Sequence, residues 1–148
     1  MAGIRPEEIT EWRDGAVQPL AAVSFAGSAD AQDHAVELVI DQARRIAARG
    51  ADAVVLIDTL DGLHPHAARK ALSAARNIVD GGSLTVIATA SAPLGGETTV
   101  IALDALRAAV AQFPALDLAA SGTIRPELLV GDAGAADIVA ARQRALAT

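Results

Sequence analysis

The stretch Asp52–Asp58, with the sequence DAVVLID, decides the fold predicted for this chain. Between its two aspartates every residue is apolar, and most of these residues are β-branched. A continuous apolar run without polar alternation is typical of a strand covered on both faces, and therefore of a parallel sheet. Asp58 closes the run. In open α/β sheets, ligands gather at the carboxyl ends of the strands, so Asp58 is the first candidate functional residue.

Helices are predicted before and after this strand in the sequence. One begins at Asp30, shows apolar residues at helical spacing, and ends at Gly50 after a basic last turn. A second helix is predicted over His66–Val79. It is followed by Ser83–Ala90 (SLTVIATA), which predicts a second buried strand. Strands that alternate with helices of crossover length predict a parallel sheet flanked by helices.

The remaining segments continue the same alternation. Val17–Ala26 reads as a short apolar strand, Thr98–Leu103 as a third β-rich run, Asp104–Ala111 as a helix and Ala135–Leu146 as a final helix. Pro126–Val130 predicts a helical turn. Because no internal repeat, low-complexity segment or linker is evident, a single domain is predicted over residues 1–148.

Composition excludes several classes of protein. The net charge of −6 and the pI of about 4.9 argue against a free-standing nucleic-acid-binding domain, and the 2% aromatic content leaves few platforms for base stacking. The absence of cysteine excludes disulfides and thiolate metal sites. There is no long apolar run, and Met1–Arg13 is too polar for a signal peptide. A cytoplasmic protein without a membrane segment is expected.

Asp58 has two interpretations. A carboxylate at the end of a buried strand can hold Mg²⁺ through water beside a nucleotide's phosphates. The alternative, which the strand pattern alone favours, is that it caps the following turn, Thr59–Gly62. A phosphate-binding loop needs Gly-x-x-x-x-Gly-Lys-Ser/Thr, and neither Gly81-Gly82 nor Gly95-Gly96 is followed by that pair.

Two further clusters carry weaker signals. His64 and His66 flank a proline, but no third ligand stands at a diagnostic spacing, so a solvated loop pair is favoured over a metal site. Arg69, Lys70 and Arg76 lie at spacings that put them near one helix face. Such a face is usually solvated, and a role in binding a partner or nucleic acid is the alternative.

Four strings in this sequence resemble one family in the same order. They are Arg5–Thr10 (RPEEIT), Asp52–Asp58, Ala74–Ala90 (AARNIVDGGSLTVIATA) and Phe113–Leu129 (FPALDLAASGTIRPELL). Together they are similar to the ATPase core of transcription termination factor Rho, and they span nearly the whole chain. The resemblance implies an α/β fold of the RecA-like kind, with a parallel sheet flanked by helices as in part of a P-loop NTPase core.

The resemblance also implies roles for particular residues. Asp58 corresponds to the Walker B carboxylate that supports Mg²⁺, and Arg5 to an arginine near the phosphates. Phe113 corresponds to the aromatic that stacks on adenine, and Thr89 lies where RecA-like cores keep a polar nucleotide sensor. The implied cofactor is ATP or ADP with Mg²⁺. The implied partners are other Rho-like subunits in a homo-oligomer, or the missing half of the core, with RNA in the full-length family context.

Departures from the family pattern are equally specific. Ile4 stands where the family has its catalytic glutamate, and Ile124 where it has the arginine finger, with Arg125 one residue on as a candidate substitute. Gly62 replaces an arginine that follows the Walker B strand. The segment that carries the RNA-contacting pore loop is missing between Thr59 and His66. The family's P-loop and its N-terminal RNA-binding domain are not found in these 148 residues.

Three hypotheses remain open at this point. The chain is a piece of a divergent Rho ATPase core that is inert alone, or a non-catalytic regulatory or assembly module that keeps only the fold. The third is an active Rho-type ATPase whose phosphate loop comes from elsewhere, which would need Arg125 to act as the finger. The first two predict no ATP hydrolysis by this chain, because an isoleucine at position 4 cannot polarise an attacking water.

Overall fold

The computed structural model describes residues 2–4, 7, 10, 20–24 and 27–146. The chain divides into two compact units, Met1–Gly96 and Glu97–Thr148, which are described separately below. The single domain predicted for residues 1–148 stays a prediction. Arg5 and half of the predicted strand Val17–Ala26 (residues 17–19, 25 and 26) lie outside the described residues.

Among its described residues, the first unit contains seven elements in chain order. They are β1 (Ala2–Ile4), β2 (Val23–Ser24), α1 (Ala29–Ala48), β3 (Ala53–Ile57), α2 (Pro65–Leu72), β4 (Arg76–Asn77) and β5 (Ser83–Ala88). β1 and β2 pair in parallel as a small separate sheet. The main sheet has the strand order β3-β5-β4.

The two apolar runs of the sequence form the parallel pair β3 and β5. Their register runs from Ala53 opposite Leu84 to Ile57 opposite Ala88, and α2 lies in the connection between them. β4 pairs antiparallel on the other edge of β5. The unit is therefore a mixed α/β structure with a three-stranded sheet, and a RecA-like parallel sheet over the chain stays a prediction.

Only one face of the β3 strand is buried, which corrects the prediction of a strand covered on both faces. Val55 and Ile57 lie in the core, whereas Val54 and Leu56 are 62% and 60% exposed. The reason is that α1 and α2 contribute their buried residues to the same cluster as Val55 and Ile57. The other face of the strand remains accessible.

The α1 helix supplies one side of this core because its apolar residues recur at helical spacing. Val36, Ile40, Ala43 and Ala47 are all buried and follow one another at intervals of three or four residues. The hydroxyl of Ser28 accepts the amide of Ala31 at 3.3 Å and caps the first turn. The small alanines allow helix and sheet to approach closely.

The α2 helix is shorter than the predicted His66–Val79, because it ends at Leu72. Beyond it, Arg76 and Asn77 leave the helical path and pair with Leu84 and Ser83 of β5. The turn that follows requires glycine at position 82, since a Cβ there would lie 2.0 Å from the carbonyl oxygen of Ala51. Pairing with β5 therefore outweighs the helical pattern in this segment.

The second unit contains β6 (Thr99–Val100), α3 (Ala105–Ala109), β7 (Gly122–Thr123) and α4 (Glu127–Leu146). β6 and β7 pair antiparallel. The α4 helix is interrupted at Gly131, whose φ of 71° is left-handed, so the predicted turn and final helix are two helical pieces. None of the described helices is long and apolar enough to cross a membrane.

Candidate functional site

Asp58 and Thr89 meet at the carboxyl end of the β3–β5 pair. The last paired residues are Ile57 and Ala88, and the register continues because the Thr89 amide donates to the Ile57 carbonyl at 3.0 Å. The Thr89 hydroxyl donates to Oδ1 of Asp58 at 2.6 Å. Both residues are exposed. The structure thus brings together two of the residues that the sequence singles out.

The turn after Asp58 folds back onto Thr89. The Asp58–Thr59 peptide bond is cis. The amide of Leu60 donates to the carbonyl of Thr89 at 2.9 Å, and the Thr59 hydroxyl donates to the same oxygen at 3.0 Å. Leu60 is itself buried in the core. The backbone of Thr89 is therefore held on both sides by β3 and its turn.

Asp61 is a residue of this edge that the sequence reasoning missed. Its carboxylate accepts the amide of Ser91 at 3.0 and 3.1 Å and the Ser91 hydroxyl at 3.0 Å. The Thr59 hydroxyl lies 3.2 Å from Oδ2 of the same carboxylate. The backbone hydrogen bond from Ser91, and then the hydroxyl bonds, hold the pKa of Asp61 below its usual value.

The opposite end of the same strand pair carries a matching contact. Asp52 accepts the Ser83 amide at 3.0 Å and the Ser83 hydroxyl at 2.7 Å. Each end of the strand pair thus has an aspartate that binds a serine. Before β3, Asp52 binds Ser83 of β5, and after β3, Asp61 binds Ser91 in the loop that follows β5. The sequence carried a signal for this pairing of the two strands. Asp52 and Ser83 are separated by 31 positions, and so are Asp58 and Thr89.

Gly62, which replaces the family's arginine, is required by close packing in this chain. A Cβ at position 62 would lie 2.0 Å from Oε1 of Gln32, which is buried at 4% exposure. The side-chain amide of Gln32 donates to the carbonyl of Gly27 at 3.2 Å, and its Oε1 has no hydrogen-bond partner among the described residues. Any side chain at position 62 would therefore have to displace Gln32.

The histidines do not converge on a metal. Nδ1 of His64 lies 2.9 Å from Oδ2 of Asp33, and the His64 amide donates to the other oxygen at 3.1 Å, which ties the start of α2 to α1. His66 instead lines a groove of about 210 Å³ between the two helices. In the described part of the chain, no group of three or more such ligands is placed to hold a metal ion.

The basic residues of α2 and β4 are engaged within the first unit. Lys70 forms an ion pair with Glu37 at 2.5 Å, and this contact lowers the pKa of Glu37. Arg69 donates to the carbonyl of Leu94 at 3.4 Å, and Arg76 donates to the carbonyls of Ser73 and Ala74. These contacts favour the interpretation of a solvated, structural face.

The other predicted site residues lie in the second unit. Phe113 is 72% exposed, and the peptide bond that follows it is cis. Arg125 pairs with Glu127 and lowers the pKa of that carboxyl. Ile124 is exposed, and its amide donates to the Thr98 carbonyl at 2.9 Å. Their predicted roles beside a nucleotide stay predictions, as does that of Arg5.

The fold and the Asp58–Thr89 pair define a mixed α/β protein with polar side chains at the carboxyl end of a parallel strand pair. No protein-family model matches the chain. It is 34% identical to transcription termination factor Rho of Streptosporangium roseum over 88% of its own length, and 31% identical to Rho of Pseudomonas fluorescens biotype C over 86%. It is also 31% identical to Rho of Mycobacterium tuberculosis over 85%. The chain is thus related to the Rho family over most of its length, which confirms the resemblance drawn from its sequence.

The chain spans only part of these relatives. It covers 43% of the Streptosporangium protein, 39% of the Pseudomonas protein and 27% of the Mycobacterium protein. The match to the Streptosporangium protein extends over 167 residues, which exceeds the 148 residues of this chain. The relative therefore carries residues within the matched region that have no counterpart here.

Proposed function

We propose that the chain is a segment of a Rho-type, RecA-like ATPase core that keeps the Mg²⁺-facing end of its sheet and does not hydrolyse ATP by itself. The contact of Asp58 with Thr89 at the carboxyl end of parallel strands is the observation that carries this proposal. Relatedness to Rho supports it. ATP-driven work on RNA belongs to the proposal only for a larger assembly.

The chemistry of this edge fits a nucleotide-bound magnesium ion. Mg²⁺ prefers hard oxygen ligands and keeps several of its waters, so an exposed carboxylate holds it through water. Oδ1 of Asp58 already accepts the Thr89 hydroxyl, whereas Oδ2 accepts no hydrogen bond from the described residues. When bound, the ion would neutralise phosphate charge, and the role of Asp58 is to orient its waters.

The lack of hydrolysis follows from residues that the chain does not have. No Gly-x-x-x-x-Gly-Lys-Ser/Thr string occurs in its 148 residues, so no Walker A backbone is available within them to cradle phosphates. Ile4 and Ile124 replace the glutamate and the finger of the family pattern. Loss of an arginine finger alone removes about 10³–10⁵ in phosphoryl-transfer rate.

Calorimetric titration with Mg·ADP tests the retained edge. We expect weak, Mg²⁺-dependent binding that Asp58→Asn abolishes and that the matched variant Asp52→Asn leaves intact, because Asp52 lies at the other end of the strand. Binding that is absent, or equally weak in both variants, contradicts the proposal. Steady-state ATP hydrolysis by the pure chain that Asp58→Ala abolishes would contradict the proposed inactivity.

A non-catalytic assembly module is a second candidate, favoured by apolar exposure in the second unit. The residues concerned are more than two-thirds exposed: Ile101, Leu103, Leu106, Val110, Leu128 and Leu129. Exposed apolar side chains that form a contiguous patch mark interaction sites. We expect sedimentation velocity to show association that Leu106→Glu with Leu128→Glu reduces. A monomer at all concentrations would argue against association with further copies.

Binding of RNA by this chain is expected to be weak. The net charge of −6 opposes a phosphate backbone, and the basic side chains of α2 are engaged within the unit. Fluorescence anisotropy with a pyrimidine-rich strand should show no sub-micromolar affinity at physiological salt. A tight and strongly salt-dependent affinity would instead favour an active RNA-binding role.

A further inference from the structure

Asp61 and Ser91 lie directly beyond the Asp58–Thr89 pair, and nothing in the Rho resemblance assigns them a role. The chain leaves β5 through Thr89 and Ala90 to Ser91, where both the amide and the hydroxyl are bound by the Asp61 carboxylate. Only one residue separates the serine that is held from the threonine whose hydroxyl reaches Asp58. Asp61 therefore restrains the chain beyond β5, in addition to the bonds that Leu60 and Thr59 make to the Thr89 carbonyl.

We propose that Asp61 is a positioning residue for the Asp58–Thr89 pair. By holding Ser91, it limits the backbone angles of Thr89 and so keeps the Thr89 hydroxyl on the Asp58 carboxylate. This inference deepens the proposed function, because that hydroxyl orients the carboxylate that would face Mg²⁺. Asp61 itself makes no contact with Asp58 among the hydrogen bonds of the described residues.

The stereochemistry of threonine makes this coupling specific. A β-branched side chain has few accessible χ1 rotamers, and the rotamer that is favoured depends on the backbone angles. A hydrogen bond of 2.6 Å between Thr89 and Asp58 tolerates little displacement of either group. Release of Ser91 would free the angles at Ala90 and remove the restraint on the chain just beyond Thr89, whose amide and carbonyl stay bound to β3 and its turn. The Thr89 hydroxyl would then sample other rotamers.

A matched contact elsewhere in the sheet supplies the control. Asp52 binds the amide and hydroxyl of Ser83 in the same manner at the opposite end of the pair, roughly 20 Å from Asp58 at the usual rise per strand residue. Loss of either aspartate removes the same kind of bonds from the same sheet. Only loss of Asp61 should change the side chain of Thr89.

The test measures the χ1 rotamer of Thr89 by NMR, from three-bond couplings to its methyl carbon, in the full chain without nucleotide. The parent and Asp52→Ala should show one rotamer, whereas Asp61→Ala should show averaged couplings. Ser91→Ala, a milder change that removes one hydroxyl and leaves the backbone contact, should give partial averaging. It also serves if Asp61→Ala does not fold.

Two results would overturn the inference. One is a single, unchanged Thr89 rotamer in both Asp61→Ala and Ser91→Ala, which would mean that the strand hydrogen bonds suffice. The other is averaging in Asp52→Ala equal to that in Asp61→Ala, which would mean general loosening of the sheet. The NMR measurement needs no ligand. Failure of Mg·ADP to bind the parent chain would therefore contradict the proposed function without deciding whether Asp61 positions Thr89.

Discussion

The hydroxyl of Thr89 lies 2.6 Å from Oδ1 of Asp58, although the two residues are 31 positions apart in the chain. The parallel register of β3 and β5 has the same offset, which places successive residues of the two strands side by side. The contact is therefore a direct consequence of strand pairing. It joins a carboxylate and a hydroxyl at the sheet edge where α/β proteins bind ligands.

A double-mutant cycle measures this contact. Asp58→Ala and Thr89→Val should show a coupling free energy of about 0.5–1 kcal/mol in urea unfolding, since a hydrogen bond to a charged group is favourable but this one is exposed. Thr85→Val, at an exposed position of the same strand, is the control and should not couple to Asp58→Ala. Strict additivity of the first pair would contradict the contact.

Packing at Gly62 predicts a conditional loss of stability. Gly62→Ala should lower the free energy of unfolding by about 1–3 kcal/mol, because its Cβ would overlap the buried side chain of Gln32. In a Gln32→Ala background the same substitution should cost clearly less. Urea denaturation of the four proteins tests this expectation, and an equal cost in both backgrounds would show that Gln32 is not the obstacle.

The lowered pKa of Asp61 predicts a contribution to stability that depends on pH. Because the pKa of Asp61 is lower in the folded state than in the unfolded chain, its contribution is present above the unfolded value near 3.8 and is lost as pH falls through the folded value. Between neutral and acidic pH, the urea midpoint of unfolding should therefore fall further for the parent than for Asp61→Asn. Parallel profiles for the two proteins would exclude this linkage.

The ion pair between Lys70 and Glu37 predicts a change in titration. The hydrogen bond from Lys70, followed by its charge, is the main cause of the lowered pKa of Glu37. Lys70→Met should therefore raise the pKa of Glu37 toward its ordinary value, as followed by the carboxyl ¹³C shift. Arg69→Met removes a neighbouring cation that contacts Leu94 instead, and it should leave that pKa nearly unchanged.

Several local features could be predicted because they depend on residues close in sequence. The start of α1 follows from its capping serine and helical apolar spacing, and its end from Gly50, whose φ is 93°. The strand over Ala53–Ile57 follows from its β-branched run. The end of α2 at Leu72 could not be predicted in this way, because Arg76 and Asn77 gain their partners from β5.

The sequence by itself determined the two apolar strands, the position of Asp58 at the end of one of them, and the relationship to Rho. Only the tertiary structure decided that Asp61 holds Ser91, that Gly62 packs on Gln32, and that one face of β3 stays exposed. The reason is physical. Strand and helix patterns arise from short-range preferences, whereas these contacts depend on how segments about 30 residues apart pack and on the register between them.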